Sequence, residues 1–273
     1  MPVEVRSLAE WEADGVAGML SVVIPAHNEE GRIAGTVRDL YAVLTEAGIV
    51  HEILVVNDNS RDRTEEVLKE LSREVTTLRY INNAPPNGFG FAVRAGLTAF
   101  QGEAVAIVMA DASDSPTDLV TFYRKMQEGY ECVFGSRFLP GARVVDYPLP
   151  KLLLNRLANF FIRILFWSRY NDVTNAFKLY RRSVIAGVQP LLAYHFNLTV
   201  ELPLKAMVRG YSFAVVPTSW FNRTSGVSKF KIKEMGSRYL FIVLYCYLEK
   251  YLAREDYRKR ADLRERQLQV WSR

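Results

Sequence analysis

The sequence has 273 residues and a formal net charge of +5, from 35 lysine and arginine residues against 30 aspartate and glutamate residues. Its 49% hydrophobic and 24% charged residues are ordinary for a globular protein of one large or two small domains, which excludes disordered and fibrous classes. Cys132 and Cys246 lie far apart and form no CxxC pair, which indicates neither a disulfide framework nor a zinc cluster.

The first half of the chain alternates short apolar runs with segments of helical periodicity. Strands are predicted at 21–25, 52–56, 77–81 and 104–109, and helices at about 31–47, 63–73, 87–100 and 118–128. Strands that are apolar throughout and separated by helices are typical of a parallel sheet covered on both faces. The sequence therefore predicts an α/β fold with a doubly wound sheet. Ligands of such sheets bind beyond the carboxyl ends of the strands.

An apolar helix is predicted at about 151–167, after a loop rich in proline and glycine. Its polar residues recur every four positions and form one narrow stripe, consisting of Lys151, Asn155, Asn159 and Arg163. This pattern suits a helix that lies at a membrane interface. The alternative is a helix buried against the sheet.

The C-terminal part is predicted to hold a second apolar helix, at about 233–253, and a tail over 254–273 that carries many charges of both signs. We expect the tail to be a solvated helix, with membrane-surface contact as the alternative. The predicted organisation is an N-terminal extension over 1–18, a main domain over 19–235, and a C-terminal amphipathic helix with charged tail over 236–273.

Signal peptides and membrane-spanning segments, which would indicate where the protein is located, are not evident in the sequence. The first 18 residues are acidic and lack the basic-then-apolar order of a signal peptide. No stretch reaches the roughly 20 apolar residues that a membrane-spanning helix needs. We therefore expect a cytoplasmic protein, peripheral at the cytoplasmic face of the membrane, with a membrane-protein partner as an open alternative.

Charge is divided unevenly along the chain. Residues 1–136 contain 11 basic and 21 acidic side chains, whereas residues 137–273 contain 24 basic and 9 acidic ones. An acidic half suits a cation, and a basic half suits an anionic ligand. We do not expect a nucleic-acid partner, because the basic residues are interleaved with large apolar runs and no nucleic-acid module is recognisable.

Asp111 and Asp114 follow the fourth predicted strand. Two carboxylates at a strand end can hold Mg²⁺ or Mn²⁺ together with a diphosphate, because these hard cations complete their shells with water and phosphate oxygens. The cation then offsets charge on a departing nucleoside diphosphate. The alternative is that Asp114 caps the helix predicted at 118–128, since Ser115 and Pro116 follow it.

Several sequence blocks resemble a known family. In order along the first half they are SVVIPAHNEE, ILVVNDNSRDRT, NGFGFAVRAG, VMADASDSP and GSRF. This set resembles the family-two glycosyltransferases with the GT-A fold. In the second half, DVTNAFKLYRRSV, FNLTVELPLKAMVRGY and VPTSWFNRTSGVSKF are similar to blocks of the dolichol-phosphate mannose synthase and polyprenyl-phosphate glycosyltransferase branch. The resemblance covers about residues 20–235.

The resemblance implies a GT-A fold, which is a Rossmann-like, doubly wound, mostly parallel sheet with helices on both faces, here followed by C-terminal apolar and basic helices. It also implies metal-dependent transfer of a sugar, with inversion, from a nucleotide sugar donor to a polyprenyl (dolichyl-type) phosphate. A glycan or small hydroxyl acceptor is one alternative. A non-catalytic nucleotide-sugar-binding homologue is another.

Residue roles follow from the same resemblance. The residues implied to line the nucleotide pocket are Pro25, Ala26, Asn28 and Glu29, and Asp58 would contact the base or ribose. Asp111 would ligate the metal, with Asp114 as a second acidic group, and Asp111 and Arg137 would act in catalysis. The basic residues implied to meet phosphates are Arg137 and Lys151 for the acceptor, and Arg223 and Lys229, on a mobile loop, for the diphosphate. The alternative for each cation is an exposed salt bridge of little energetic value.

Four positions depart from the family's usual pattern. Asn57 stands where an acidic residue is common, and Phe89 stands where a basic or small residue is frequent, which bears on donor recognition. The usual Asp-Ala-Asp is replaced by a motif with its acids at 111 and 114, so either carboxylate is a candidate for the metal. In the block TNAF, Asn175 and Ala176 would lie near the acceptor.

The acceptor decides which mechanism is expected. A phosphate oxygen is already ionised, so a single inverting displacement needs mainly positioning and electrostatic stabilisation. A sugar hydroxyl needs a carboxylate base. Glu201 is the candidate base for that alternative, because it is the one acidic residue of its block.

Overall fold

The structure is a computed structural model that describes residues 18–221 and 232–258. Its strands are β1 (Leu20–Ala26), β2 (His51–Asn57), β3 (Leu78–Asn82), β4 (Ala104–Ile107), β5 (Cys132–Ser136), β6 (Val144–Val145), β7 (Lys178–Arg181), β8 (Phe213–Pro217) and β9 (Trp220–Phe221). Its helices are α1 (Ile33–Glu46), α2 (Thr64–Glu74), α3 (Phe89–Ala99), α4 (Pro116–Gln127), α5 (Leu149–Phe166), α6 (Arg182–Gly187), α7 (Leu198–Val208), α8 (Ile232–Leu252) and α9 (Arg254–Tyr257).

Seven strands form one sheet in the order β3-β2-β1-β4-β7-β5-β8, and β6 pairs with β9 separately. Within the described part of the chain all seven run parallel except β7, which lies antiparallel between β4 and β5. In the centre of the sheet, Val23 lies opposite Leu54 on one side and Ile107 on the other. The mostly parallel sheet predicted from the apolar runs is confirmed.

Helices cover both faces of the sheet. Alternate residues of β1 face opposite ways. Val22 belongs to a hydrophobic core with residues of α1, α2 and α4, whereas Val23 belongs to a second core with residues of α3, α5, α6, α7 and α8. On α1 the buried residues include Val37, Leu40 and Leu44, which share one face of the helix. The two hydrophobic cores fix the strand ends from which the site is built.

The predicted elements of the first half agree with the observed ones to within two residues at most ends. The strands that follow α4 were not predicted, because they are short and carry weak patterns. Strand β5 ends in Phe134, Gly135 and Ser136, and β7 begins with a buried lysine, Lys178. Pairing with neighbouring strands decides whether such segments form strands, because their intrinsic preference for strand is weak.

The alternative in which α5 is buried against the sheet is wrong, because most of the helix is exposed. Its buried residues are Asn159, Ile162 and Phe166, whereas Leu153 and Leu157 are 70% and 65% exposed. The centre of the predicted polar stripe therefore faces the protein, and the apolar face points outward. Ile162 and Phe166 anchor the helix to the hydrophobic core beside Asn159, so α5 carries apolar residues on both its inner and its outer sides.

Helix α8 lies beside α5 and shares this exposure. Lys250 on α8 donates a 2.9 Å hydrogen bond to the carbonyl of Phe166, and the Phe166 ring contacts Tyr247 edge-on. Arg209 and Glu249 form an ion pair, each 2% exposed, that ties α8 to the body of the protein. The outer residues of α8 are apolar and exposed, among them Leu240, Phe241, Leu244 and Leu248.

None of the helices in the described ranges is long and apolar enough to cross a membrane. Of the predicted tail, the structure describes residues 254–258, where Arg254–Tyr257 forms α9. The extension over residues 1–17 and the rest of the tail lie outside the described residues.

Candidate active site

A cavity of about 870 Å³ lies at the carboxyl ends of β1, β2 and β4, and extends to α5 and α8. The predicted site residues that line it are Pro25, Ala26, Glu29, Asp58, Asp111, Asp114, Arg137 and Lys151, together with Asn175 and Ala176. This position is where a doubly wound sheet binds its ligands, because parallel strands end together at one edge. Arg223 and Lys229 lie outside the described residues, so their predicted roles stay predictions.

Asp58 ties two loops together at the mouth of β2. One carboxylate oxygen accepts a 2.6 Å hydrogen bond from the backbone N–H of Gly88, and the other accepts a 2.7 Å bond from Asn83 Nδ2. The Asp58 carbonyl lies 2.7 Å from Nδ1 of His27. The carboxylate is 3% exposed and lines the cavity. Its remaining lone pairs can accept hydrogen bonds from a ligand.

Asn28 is the one predicted nucleotide residue in the described ranges that the structure leaves out of the cavity lining. It adopts a left-handed conformation with φ of 56°. Its Oδ1 accepts a hydrogen bond from the Arg61 N–H, and its own N–H donates to the Ser60 hydroxyl. These bonds join the loop after β1 to the loop after β2.

Asp111 and Asp114 both line the cavity and are 7% and 8% exposed. Burial, together with the nearby Asp111 carboxylate, raises the pKa of Asp114 to about 7, although its bond from the Met109 N–H opposes the shift. Asp111 Oδ1 accepts a 3.2 Å bond from the Ser113 N–H. Two buried, mutually repelling carboxylates that face a cavity are an arrangement that a divalent cation stabilises.

Asp114 does not cap helix α4, so that alternative was wrong. The N-cap position is Ser115, which makes no side-chain capping bond, and Asp114 turns back to Met109 instead. Among the residues that the structure describes, no group of three or more His, Cys, Asp or Glu side chains could hold a metal by itself. The aspartate pair thus fits a cation that takes its other ligands from a diphosphate and water.

Arg137 is held by a buried partner that the sequence did not reveal. Its Nε and Nη2 donate to the two oxygens of Asp172 at 2.8 and 2.7 Å, and its backbone N–H donates to the same carboxylate. Arg137 is 9% exposed and Asp172 is fully buried. The Asp172 carboxylate raises the pKa of the guanidinium above its usual value, although burial opposes this shift. Arg137 therefore lines the cavity as a fixed cation.

Lys178 holds the segment 172–176 in place through hydrogen bonds to its backbone. The ammonium of Lys178, which is 1% exposed, donates to the backbone carbonyls of Val173, Asn175 and Thr199. Three carbonyls match the three N–H groups of an ammonium. Burial nevertheless lowers the pKa of Lys178 to about 7, with Asp172 opposing the shift. These bonds hold the segment against the cavity wall, where Asn175 lies.

The comparisons with known proteins agree with this geometry. The model of the family described as "Glycosyl transferase family 2" matches residues 21–188, which is more than half of the chain. The chain belongs to glycosyl transferase family 2. It is a glycosyltransferase, and the family predicted from the ordered motif blocks is confirmed.

Two curated relatives of this glycosyltransferase are named for polyprenol monophosphomannose and for dolichol phosphate. Polyprenol monophosphomannose synthase of Mycolicibacterium smegmatis is 29% identical over 233 residues, covering 80% of this chain and 86% of the relative. Dolichol-phosphate mannosyltransferase of Pyrococcus furiosus is 29% identical over 219 residues. That match covers 78% of this chain but 60% of the Pyrococcus protein, so the glycosyltransferase spans less than two thirds of that relative.

Solved structures show the same fold. Glucosyl-3-phosphoglycerate synthase of Mycobacterium tuberculosis, crystallised with Mn²⁺, uridine diphosphate and its product, has a TM-score of 0.64 and is 19% identical. The similarity covers 92% of this glycosyltransferase and 86% of that chain. A second mycobacterial crystal structure gives a TM-score of 0.63 at 20% identity. The predicted GT-A fold is confirmed.

Glu201 cannot serve as the base that a hydroxyl acceptor would need. It is fully buried, its oxygens accept hydrogen bonds from the N–H groups of Leu192 and Ala193, and it forms a 2.7 Å ion pair with fully buried Lys205. It is absent from the lining of the cavity in the described part of the glycosyltransferase. Its role is to fix the start of α7, and the interpretation as a base was wrong.

The lining also contains residues that sequence reasoning missed. Phe196 is the first residue of the quoted block FNLTVELPLKAMVRGY, and His195 directly precedes it. The ring of Phe196 stacks on Phe89 at 4.2 Å. Arg238 and Tyr239 come from α8, beyond the part matched by the family model. In the structure Gly90 lies against this segment, because a Cβ there would lie 2.2 Å from the backbone of Tyr194 and 2.4 Å from the backbone nitrogen of His195.

One wall of the cavity is apolar and open. Leu154, Phe161 and Leu240 line the cavity and are also 45%, 53% and 52% exposed, so the wall continues onto the outer face of α5 and α8. We call this outer face the α5–α8 face, defined by Leu149, Leu153, Leu154, Leu157, Phe160, Phe161, Ile164, Trp167, Leu240, Phe241, Leu244 and Leu248. Large apolar side chains exposed in this number on two neighbouring helices are typical of an interaction site.

Proposed function

We propose that this glycosyltransferase moves a sugar from a nucleoside diphosphate sugar to a polyprenyl phosphate, with inversion and with Mg²⁺ or Mn²⁺ as cofactor. One observation carries the proposal. A single cavity joins acidic strand ends, basic side chains and an apolar wall that opens onto the exposed α5–α8 face. Nucleotide sugar, phosphate and prenyl chain each have a chemically matching part of that cavity.

The donor is assigned to the strand-end side. Pro25, Ala26 and Glu29 line this side with Asp58, whose contacts hold the loop at Gly88 against the cavity. Asp111 and Asp114 would hold the cation, which supplies positive charge to the leaving nucleoside diphosphate. The crystallised relative with Mn²⁺ and uridine diphosphate supports a divalent cation and a nucleotide ligand for this fold.

The acceptor phosphate is assigned to Arg137 and Lys151, with Arg238 as a further cation on the lining. An ionised phosphate oxygen forms a bond to the anomeric carbon as the bond from that carbon to the diphosphate breaks. The bonding electrons leave with the nucleoside diphosphate, and attack from the opposite side inverts the anomeric centre. The phosphate needs no proton removed, which agrees with the burial of Glu201 away from the cavity.

The prenyl chain is assigned to the apolar wall, and the α5–α8 face to a lipid surface. The relatives named for polyprenol and dolichol phosphates support this acceptor class. Arg156, Arg163 and Arg169 are exposed along and just after α5, which favours an anionic surface. The proposed location is peripheral, at a membrane whose lipids supply the acceptor.

The central experiment is a donor screen with a polyprenyl phosphate acceptor, with and without Mn²⁺ or Mg²⁺. We expect radiolabelled sugar in the organic phase with one nucleotide sugar, only when metal is present, and an inverted anomeric configuration by NMR. Asp111→Asn should abolish transfer while circular dichroism stays unchanged, and Asp39→Asn, an exposed aspartate on α1, is the matched control. Transfer to a hydroxyl compound but to no prenyl phosphate would overturn the acceptor assignment.

Membrane contact is tested by co-sedimentation with anionic vesicles that contain polyprenyl phosphate. The wild type should pellet with the vesicles at low salt, and the double variant Leu157→Gln and Phe160→Gln should not, because both side chains lie on the α5–α8 face. Val50→Gln removes an apolar side chain that is 64% exposed elsewhere and serves as the control. Wild-type protein that stays wholly in the supernatant would contradict the lipid-surface assignment.

A further inference from the structure

Helix α5 is attached to the protein through amide side chains. Asn159 is 1% exposed, although most of the helix around it is exposed and apolar. Its Nδ2 donates to Asn155 Oδ1 at 2.8 Å and to the Thr174 hydroxyl at 3.1 Å, and its Oδ1 accepts a 2.6 Å bond from the N–H of Val173. Asn155 Nδ2 also donates to the Thr174 hydroxyl, at 2.8 Å.

These bonds end on the segment that fixes Arg137. Val173 and Thr174 follow directly after Asp172, whose two oxygens hold the Arg137 guanidinium. Thr174 itself lines the cavity. An unbroken set of contacts therefore runs from a helix with an outward apolar face, through two asparagines, to the cation assigned to the acceptor phosphate.

The buried amides of α5 couple the orientation of the helix to residues 172–174, because breaking their hydrogen bonds is costly. If α5 turned or lifted, the N–H of Val173 and the amide of Asn159 would be left unpaired in a buried place, and each group would bear the full cost of its desolvation. Apolar contacts slide with little directional preference, whereas hydrogen bonds fix both distance and angle. A change in how α5 is seated is thus felt at residues 172–174.

We propose that Asn159 and Asn155 are positioning residues through which seating α5 on a lipid surface sets the 172–174 segment, and with it Arg137, for the acceptor phosphate. The proposal rests on the proposed function and adds to it a regulation of the same site by the surface. The structure shows α5 with apolar residues turned outward, and a lipid surface binds this orientation better than one in which the helix has turned or lifted. The surface therefore shifts the protein toward that orientation by its differential affinity.

The test separates the surface from the substrate. A short-chain, water-soluble prenyl phosphate serves as the acceptor, and vesicles of anionic phospholipid without any acceptor are added or omitted. The wild type should show a several-fold higher kcat/KM for this acceptor when vesicles are present, with an unchanged KM for the donor. Leu157→Gln with Phe160→Gln should neither pellet with vesicles nor respond to them.

Asn159→Ala is the decisive variant. It should still pellet with the vesicles, because the α5–α8 face is intact, but its kcat/KM should not rise when they are added. Asn155→Ala, at a half-buried position, should lose part of the response and serves if Asn159→Ala fails to fold. Gln101→Ala, which removes an exposed amide elsewhere, should respond like the wild type.

Hydrogen exchange gives a readout that does not depend on turnover. Vesicles should slow exchange of the backbone amides of 172–176 in the wild type and leave it unchanged in Asn159→Ala. The inference is overturned if the wild type transfers sugar but ignores acceptor-free vesicles, or if Asn159→Ala responds as the wild type does. Absence of transfer to every prenyl phosphate contradicts the proposed function instead, and the exchange experiment still decides the coupling.

Discussion

Removing Arg137 should have two separable effects, one on stability and one on transfer. The guanidinium is 9% exposed and its partner Asp172 is fully buried, with two hydrogen bonds of 2.7 and 2.8 Å between the side chains. Arg137→Ala leaves a buried carboxylate without its cation. Breaking a buried pair in this way costs about 3–5 kcal/mol. That is a large part of the roughly 5–15 kcal/mol that stabilises a typical domain.

The second effect concerns the acceptor. A hydrogen bond to a charged group contributes about 1.5–3 kcal/mol. With about 1.4 kcal/mol for each factor of ten in rate, loss of one such contact to the phosphate lowers kcat/KM by about tenfold to a hundredfold or more. Binding of the nucleotide donor should remain measurable, because the donor is assigned to the strand-end side of the cavity.

A double variant keeps the two effects apart. Replacing Asp172 by asparagine together with Arg137→Ala removes the stranded charge and retains the shape of the side chain. Urea unfolding should show that the double variant recovers most of the lost stability, whereas radiolabel transfer to prenyl phosphate stays as low as in the single variant. If transfer returned with stability, Arg137 would be a structural partner of Asp172 only, and the acceptor-site reasoning would be refuted.

Three further predictions follow from buried contacts. Gly90→Ala should lower stability by about 1–3 kcal/mol, because its Cβ would meet the backbone of Tyr194 at 2.2 Å, whereas Gly35→Ala, which meets nothing within 4 Å, should not; urea unfolding compares the two. For Lys178, burial lowers the folded pKa to about 7 from 10.5, so between these values the unfolded chain holds the proton more tightly. Unfolding measured from pH 7 to 10 should therefore show the stability of the wild type rising relative to Lys178→Met, and a falling difference would contradict the shift. Glu201→Gln should lower thermal stability but leave kcat per folded molecule within about tenfold, whereas loss of a general base would cost about 10²–10⁴.

The strand ends could be predicted from the sequence because apolar strands and the polar residues that follow them are local signals. Asp58, Asp111 and Asp114 therefore came together as expected. The partners of the basic residues could not be predicted, since Asp172 lies 35 residues from Arg137 and reaches it only through the pairing of β5 with antiparallel β7. An isolated acidic residue in a motif likewise gives no sign of whether it faces a cavity or a lysine.

The orientation of α5 shows a second limit. Periodicity shows that Lys151, Asn155 and Asn159 share a face, but it does not say what that face meets. A polar stripe is normally turned to water because unpaired amides are costly to bury. Here the hydroxyl of Thr174 and the N–H of Val173 satisfy the amides, so the centre of the stripe faces inward and many apolar residues of the helix are left outside.

The buried ion pairs show which basic side chains carry the excess positive charge of residues 137–273. Arg137, Lys205 and Arg209 each pair with an acid of the same half of the chain, and all three pairs are almost fully buried. Pairing removes equal numbers of both charges, so the positive excess of residues 137–273 is unchanged and resides on fewer side chains. Several of the basic side chains that carry this excess, such as Arg156 and Arg163, are exposed on α5 beside its apolar residues. Binding to anionic vesicles should therefore weaken as salt screens the arginines, yet persist in part through the apolar contacts, which salt does not screen.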